Sequence, residues 1–228
     1  MSAPDLLTQI SSWIILLPFL IGLPLYRKLD RDSRWVFGLV SLALIPQILT
    51  PFWNHTAFLG LVYNIYTPVE FILTFGFLGL KLQRRSFRVL SWIPVGGFLL
   101  ISVWLIYRFG VQDRFLNEWV CAANISYLCW VFLLILESLL NEVKLLNGEL
   151  PLFWYITGLL LYTPCTIFVF SLCYYINTSQ HPLIRRLWMV QSVFNTTLYV
   201  CYAIGLYRNV FFNNFPKNAR VENRKPFQ

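Results

Sequence analysis

Seven apolar segments follow one another along this chain, and each is long enough to cross a lipid bilayer as a helix. About 20 mainly apolar residues span the hydrocarbon core in helical form. Hydrophobic residues make up 57% of the sequence and charged residues only 12%, whereas a soluble domain typically has about 25% charged residues. We therefore predict an all-α polytopic membrane protein whose transmembrane helices lie at about 7–26, 35–54, 57–80, 89–107, 117–140, 152–176 and 184–207.

These helices are expected to form one transmembrane domain, residues 1–208, followed by a flexible basic tail, residues 209–228. The first apolar segment has no basic residue before it, whereas Arg27 and Lys28 follow it. A secretory signal peptide has the opposite arrangement, with its positive charge in front. We therefore expect the first segment to remain in the protein as a helix.

The distribution of Lys and Arg predicts the orientation in the membrane. Fourteen of the eighteen basic residues lie in the loops after the first, third and fifth segments, or after the seventh. Cytoplasmic loops carry the excess of Lys and Arg in membrane proteins. The amino terminus is accordingly predicted outside and the carboxy terminus in the cytoplasm. Because membrane topology explains the positive charge, we predict contact with lipids and no binding of nucleic acid.

Glu70 lies in the middle of the third apolar segment, with no Lys or Arg of that segment at its depth. A charged side chain at the centre of a transmembrane helix costs about 2.5–3.5 kcal/mol on insertion scales. Intramembrane carboxyl groups therefore usually face a protein interior and serve a function. We expect this carboxyl to be protonated and to form a hydrogen bond with Asn195 or another interior acceptor.

Polar side chains recur at helical spacing on four of the predicted helices. Residues three or four apart share one face of a helix, and lipid cannot satisfy their hydrogen bonds. Together with Glu70 these polar stripes predict a ligand-binding cavity, while interhelical hydrogen bonding alone is the alternative. The residues predicted to line the cavity are Glu70, Tyr63, Tyr66, Asn124, Tyr127, Tyr162, Gln191, Asn195 and Tyr199. Further polar or small members of the stripes are Asn64, Thr67, Asn117, Cys121, Tyr155, Gly158, Thr166, Trp188 and Tyr202, and Gln47 is a candidate from the second helix.

Several chemistries lack the residues that they need. The two histidines, His55 and His181, lie in predicted loops, and the five cysteines show no Cys-x-x-Cys spacing, so no metal or redox site is predicted. Every lysine lies in a loop or the tail, which excludes a retinal Schiff base, and Ser, His and Asp form no catalytic triad pattern. No catalytic residue and no cofactor are therefore predicted.

Three segments resemble a family of uncharacterised bacterial seven-helix membrane proteins. They are residues 66–71, residues 153–158, and residues 187–206 with their Leu-Trp, Phe-Asn and Ala-Ile-Gly-Leu strings. The resemblance implies the inner membrane of a bacterium and carries no established activity.

The helix number and the outside amino terminus also resemble the receptors that couple to G proteins. The Asn195–Tyr199 segment, however, lacks the proline of the corresponding motif in the last helix of those receptors.

The polar interior favours a seven-helix sensor or receptor-like protein. We expect it to bind a small molecule, a lipid or a proton around Glu70 and to signal through a cytoplasmic or membrane partner. A small carrier or channel with Glu70 as coupling group is one alternative, and a structural subunit of a larger complex is another. A lipid-modifying enzyme with Glu70 as acid or base is the last alternative, because the sequence offers it neither a nucleophile with its base nor a metal cluster.

Overall fold

The computed structural model describes residues 9–49, 56–110, 116–140, 150–175 and 182–214, and no strand occurs among them. Their seven long helices are α1 (Leu16–Leu25), α2 (Arg31–Leu49), α3 (Thr56–Leu78), α4 (Trp92–Phe109), α5 (Asn117–Leu140), α6 (Pro151–Tyr175) and α7 (Pro182–Asn214). Residues 9–13 are helical ahead of α1, and a short helix, Arg85–Leu90, leads into α4. The predicted all-α class is thus confirmed.

Local sequence signals explain where several helices begin and end. The Asp30 carboxylate accepts a hydrogen bond of 2.8 Å from the Ser33 backbone N–H, as an N-cap residue does. Helix α2 therefore starts at Arg31, earlier than the predicted start at residue 35, which hydropathy had placed beyond these charged residues. Pro151 begins α6, a position where the missing N–H of proline has no cost. Gly110 ends α4 with a φ of 69°, in the left-handed region that favours glycine.

The last helix differs most from its predicted range. Helix α7 continues to Asn214, so residues 209–214 of the predicted tail are helical. Asn209 is only 2% exposed, and its side-chain oxygen accepts a 3.1 Å hydrogen bond from the Asp30 backbone N–H. This contact extends the helix beyond the apolar segment that hydropathy detects. Residues 215–228 and the predicted helix ends at 7, 54 and 176 lie outside the described residues.

Within the residues that the structure describes, five segments are long and apolar enough to cross a membrane: Gln9–Lys28, Gly60–Lys81, Arg85–Phe109, Asn117–Leu140 and Pro151–Cys173. They support an integral membrane protein. Helices α2 and α7 are not among them. The first turns of α2 contain Arg31, Asp32 and Arg34, and α7 carries amides and hydroxyls along its length. Their polar residues lower the hydropathy of both helices, which pack among the more apolar ones.

Hydrogen bonds between distant segments define one end of the bundle, which we call the basic end. It contains the starts of α2 and α6 and the end of α7, because the Tyr155 hydroxyl donates to Ser33 Oγ at 2.9 Å and Asn209 bonds to Asp30. The segment after α3 joins it through an ion pair between Lys81 and Asp32. This end carries exposed arginines before α2 and along the short helix.

The carboxylate of Glu137 fixes the segment after α3 at the basic end. Glu137 is only 5% exposed, and its oxygens accept hydrogen bonds from the backbone N–H groups of Gln83 and Arg84. A buried carboxylate costs free energy unless such donors compensate it. The contact joins the end of α5 to the start of the short helix.

The opposite end, which we call the Ser11 end, is defined by three further contacts. The Asn195 amide nitrogen donates to Ser11 Oγ at 3.1 Å and to the Ser11 carbonyl at 3.3 Å. The side-chain oxygen of Asn64 accepts from the backbone N–H of Leu116 at 3.0 Å. The start of α1, the start of α3 and the start of α5 therefore lie at this end. Successive long helices alternate in direction between the two ends.

Glycine allows α6 and α7 to approach closely. A Cβ atom added to Gly205 would lie 2.2 Å from Cε1 of the Tyr155 ring, and one added to Gly158 would lie 3.0 Å from Cys201 Cβ. The Tyr155 ring is fully buried and is held by its hydrogen bond to Ser33.

We predict that Gly205→Ala destabilises the protein, because the added methyl group displaces the Tyr155 ring. Overpacking of this kind typically costs about 1–3 kcal/mol, so the thermal unfolding midpoint in detergent should fall. The matched control is Gly96→Ala on the exposed face of α4, where a Cβ atom meets nothing within 4 Å. Equal midpoints for the two variants would contradict the packing described here.

Candidate functional site

A cavity of about 540 Å³ extends from the Ser11 end into the middle of the bundle. Its wall contains residues from the helical turn before α1 and from α2, α3, α5, α6 and α7, whereas none of its lining residues comes from α4. The volume lies within the range of about 300–1,000 Å³ that is typical of small-molecule sites. The bundle thus contains an open cavity of ligand size on one side of its midpoint.

All nine residues that the sequence predicted for the cavity lie in its wall. They are Glu70, Tyr63, Tyr66, Asn124, Tyr127, Tyr162, Gln191, Asn195 and Tyr199, and Gln47, Thr67 and Trp188 join them. Helical spacing explains the agreement, because each stripe occupies the face of its helix that is turned toward the other stripes. That these residues bind a ligand stays a prediction.

Other members of the polar stripes lie outside this wall. The Asn64 side-chain oxygen accepts a hydrogen bond from the backbone N–H of Leu116. The Cys121 sulfur lies 3.7 Å from Ser171 Oγ, between α5 and α6. Tyr155 bonds to Ser33 at the basic end. These residues connect separate segments of the chain. Their role is therefore the structural one, hydrogen bonding between segments, which was the alternative to a cavity for every polar stripe.

Sequence reasoning missed the contribution of the first helical segment. Ser11 and Ser12 line the cavity, and Ser11 receives both hydrogen bonds of the Asn195 amide nitrogen. We had expected the Glu70 carboxyl to bond to Asn195 or another interior acceptor. Asn195 is not its partner, and the neighbour of the Glu70 carboxyl is the Tyr66 hydroxyl. Two serines in an apolar segment form no stripe, so helical periodicity does not reveal them. Phe170 and Ser192 were also missed, and they complete the wall between α6 and α7.

Glu70 lies at the floor of the cavity. Together with Tyr127, Tyr162 and Tyr199 it also borders a second, much smaller void of about 20 Å³, which continues toward Thr74 and Tyr202. A void of this size has room for about one water molecule. The carboxyl and three tyrosines therefore separate the large cavity from a small, mainly apolar void nearer the basic end.

The site is suited to binding. Within the described segments no group of three or more His, Cys, Asp or Glu residues could hold a metal ion. The polar groups of the wall are one carboxyl, several phenols, amides and small hydroxyls, which hold a ligand through hydrogen bonds and ring contacts. No protein-family model matches the chain, and neither does any curated protein or solved structure.

We predict that water-soluble reagents reach the cavity wall. In a variant whose five native cysteines are replaced by alanine, Ser192→Cys should react with a small charged thiol reagent, because Ser192 lines the cavity. Thr163→Cys is the matched control, since Thr163 is fully buried on α6 and bonds to the carbonyl of Leu159. Mass spectrometry of the labelled protein measures both. An unreactive Ser192→Cys would mean that the cavity is closed or filled with lipid.

Proposed function

We propose that this protein is a seven-helix membrane sensor that binds a small molecule in the cavity around Glu70. The observation that carries the proposal is the convergence of one carboxyl and polar groups from five helices on one space of ligand size. Interhelical hydrogen bonding needs pairs of polar groups in contact, and it does not need a cavity between them. More polar side chains converge on this space than pair with one another, and a ligand site would explain the surplus.

All seven long helices cross the membrane in this proposal. The bundle places α2 and α7 against helices that are apolar enough to span, so the polar residues of both can face the cavity instead of lipid. Arg27, Lys28 and the arginines of the short helix gather at the basic end, which is therefore the cytoplasmic one. The Ser11 end, and with it the cavity, faces the outside.

A signal would pass through the cytoplasmic end to a protein partner. Helix α7 reaches from the cavity to that end, since Gln191 lines the cavity and Asn209 holds Asp30. A basic surface lies at the same end. It is formed by the exposed residues Gln83, Arg84, Arg85, Ser86 and Arg88. A ligand that moves α7 at the cavity would change the contacts of α7 at this surface.

The orientation is tested by labelling intact cells. We predict that a membrane-impermeant thiol reagent modifies Leu183→Cys, at the exposed start of α7, and does not modify Ser86→Cys on the short helix. Both variants are made in the protein that lacks its native cysteines. Permeabilised cells, in which both sites should react, provide the control. The reverse pattern in intact cells would overturn the orientation, and reaction at both sites would contradict an odd number of spans between them.

The binding function is tested by mass spectrometry of the small molecules that purify with the protein. We predict a compound that wild type retains and that Glu70→Gln loses, with the fold of the variant intact. Glu118→Gln, a carboxyl-to-amide change in the first turn of α5 and outside the cavity wall, should retain it. Identical lipid profiles for all three proteins would reduce Glu70 to a structural role and favour a structural subunit of a larger complex.

A small carrier is the second candidate, and the void beyond Glu70 favours it. A carrier needs a path past its coupling group, and the void of about 20 Å³ continues from Glu70 toward the basic end. Beyond it the bonds between Tyr155 and Ser33 and between Asp30 and Asn209 close the path. Uptake of the retained compound into proteoliposomes distinguishes a carrier from a sensor, which binds without transport.

A further inference from the structure

The described part of the cavity wall holds an acidic side chain and no basic one. Glu70 lies in this wall, and the lining residues that the structure describes include no Lys, Arg or His. The next lysine in the chain, Lys81, lies about 16 Å farther along the helical path and pairs with Asp32 at the basic end. We expect the Glu70 carboxyl to be protonated while it faces no cation. A cationic ligand would favour its ionised form, whereas an anionic ligand would find no positive side chain in this wall.

Two buried amides of the wall have oxygens without a hydrogen-bond partner. They are Asn124 Oδ1 and Gln191 Oε1, on side chains that are only 4% and 7% exposed. An unpaired polar atom in such a place destabilises the folded protein. Native proteins rarely leave one without a water or a ligand.

The orientation of both amides is fixed by their other bonds. The Asn124 nitrogen donates at 2.8 Å to the Val120 carbonyl, which can only accept. The Gln191 nitrogen donates at 2.9 Å to Thr166 Oγ1, whose own proton is given to the Tyr162 carbonyl. Neither amide can be turned over without losing its bond. The unpaired atoms are therefore acceptors, and a ligand that carries N–H or O–H donors would satisfy them.

Aromatic rings supply the rest of the wall. Tyr63 and Tyr66 pack edge to face with ring centres 6.4 Å apart, and Trp188, Tyr162 and Tyr199 also line the cavity. Faces of such rings attract a cation within about 6 Å and also contact apolar groups. The wall thus combines acceptors with π-surfaces.

The acceptors come from three helices of the wall. Glu70 lies on α3 at the floor, Asn124 lies on α5 about one helical turn before Tyr127, and Gln191 lies on α7 about two turns before Tyr199, toward the Ser11 end. A second donor of the ligand would satisfy the amide oxygens of α5 and α7 while its ammonium group bonds to Glu70.

The geometry points to an organic amine as the ligand: a protonated primary or secondary amine bound at Glu70, with an apolar body against the tyrosines and a second N–H or O–H donor directed to Asn124 and Gln191. This inference rests on the proposed binding function and names its ligand class. A quaternary ammonium ion is excluded from the class, because it has no N–H group to donate. The floor carboxylate and the upper carbonyl oxygens would both be satisfied by such a molecule.

The inference is tested by calorimetric titration of the full-length protein in lipid nanodiscs with defined probes. Tyramine and 6-amino-1-hexanol have the ammonium, the apolar body and the distant hydroxyl. Tyrosol and 1,6-hexanediol replace the ammonium by a neutral hydroxyl, and N,N,N-trimethyltyramine removes its N–H donors. We expect at least one of the two amines to bind, with at least about tenfold weaker binding of its neutral analogue, since hydrogen bonds to charged groups are worth that much.

Two variants identify the contacts. Glu70→Gln should weaken the amine at least about tenfold, and Gln191→Leu should weaken it while leaving binding of phenethylamine, which lacks the second donor, unchanged. Glu118→Gln should change nothing. Failure of both amines to bind, or equal binding of amine and alcohol, overturns the ligand class.

The outcome also separates this inference from the function on which it rests. If neither amine binds but a neutral or anionic compound purifies with wild type and not with Glu70→Gln, the cavity binds ligands and only the class is wrong. If no compound depends on Glu70 in either experiment, the proposed binding function fails together with the inference.

Discussion

Hydrocarbon offers no hydrogen bonds, and this constraint organises the whole bundle. Every amide, hydroxyl and carboxyl within a spanning helix must find a partner inside the protein or face a polar space. The apolar helix α4 meets the constraint by having few such groups, and most of its residues are exposed. Helices α2 and α7 pack against these apolar helices, and Gln47, Gln191 and Asn195 on them line the cavity. A central polar space is the result of that arrangement.

The two ends of the bundle satisfy the same constraint in different ways. At the basic end polar groups pair with one another, as Tyr155 does with Ser33 and Glu137 with two backbone N–H groups. Between that end and the middle of the bundle little space is left, about 20 Å³. Toward the Ser11 end the polar groups line a cavity, and two amide oxygens have no partner. The asymmetry separates a closed structural end from an open site.

The sequence was sufficient to predict the helical class and the position of nine polar residues on one inner surface, because both follow from hydropathy and helical spacing. Helix α5 spans the predicted residues 117–140, and the polar residues that recur every three or four positions around Glu70 lie together. Features that depend on contacts between distant residues could not be predicted in this way. The start of α2 depends on the cap by Asp30, the end of α7 on the bond from Asn209 to Asp30, and the place of Ser11 on Asn195. Periodicity also cannot separate Asn124, which lines the cavity, from Asn64, which bonds to a loop.

The central claim is that the space around Glu70 is a ligand site and not a gap between helices. The most direct measurement is an electron cryomicroscopy map of the protein purified from its native membrane in lipid nanodiscs. Our account predicts compact density within the cavity, in contact with Glu70 and within hydrogen-bonding distance of Asn124 or Gln191. Density of a lipid acyl chain running through the cavity, or helices closed over Glu70 with no space between them, would contradict it.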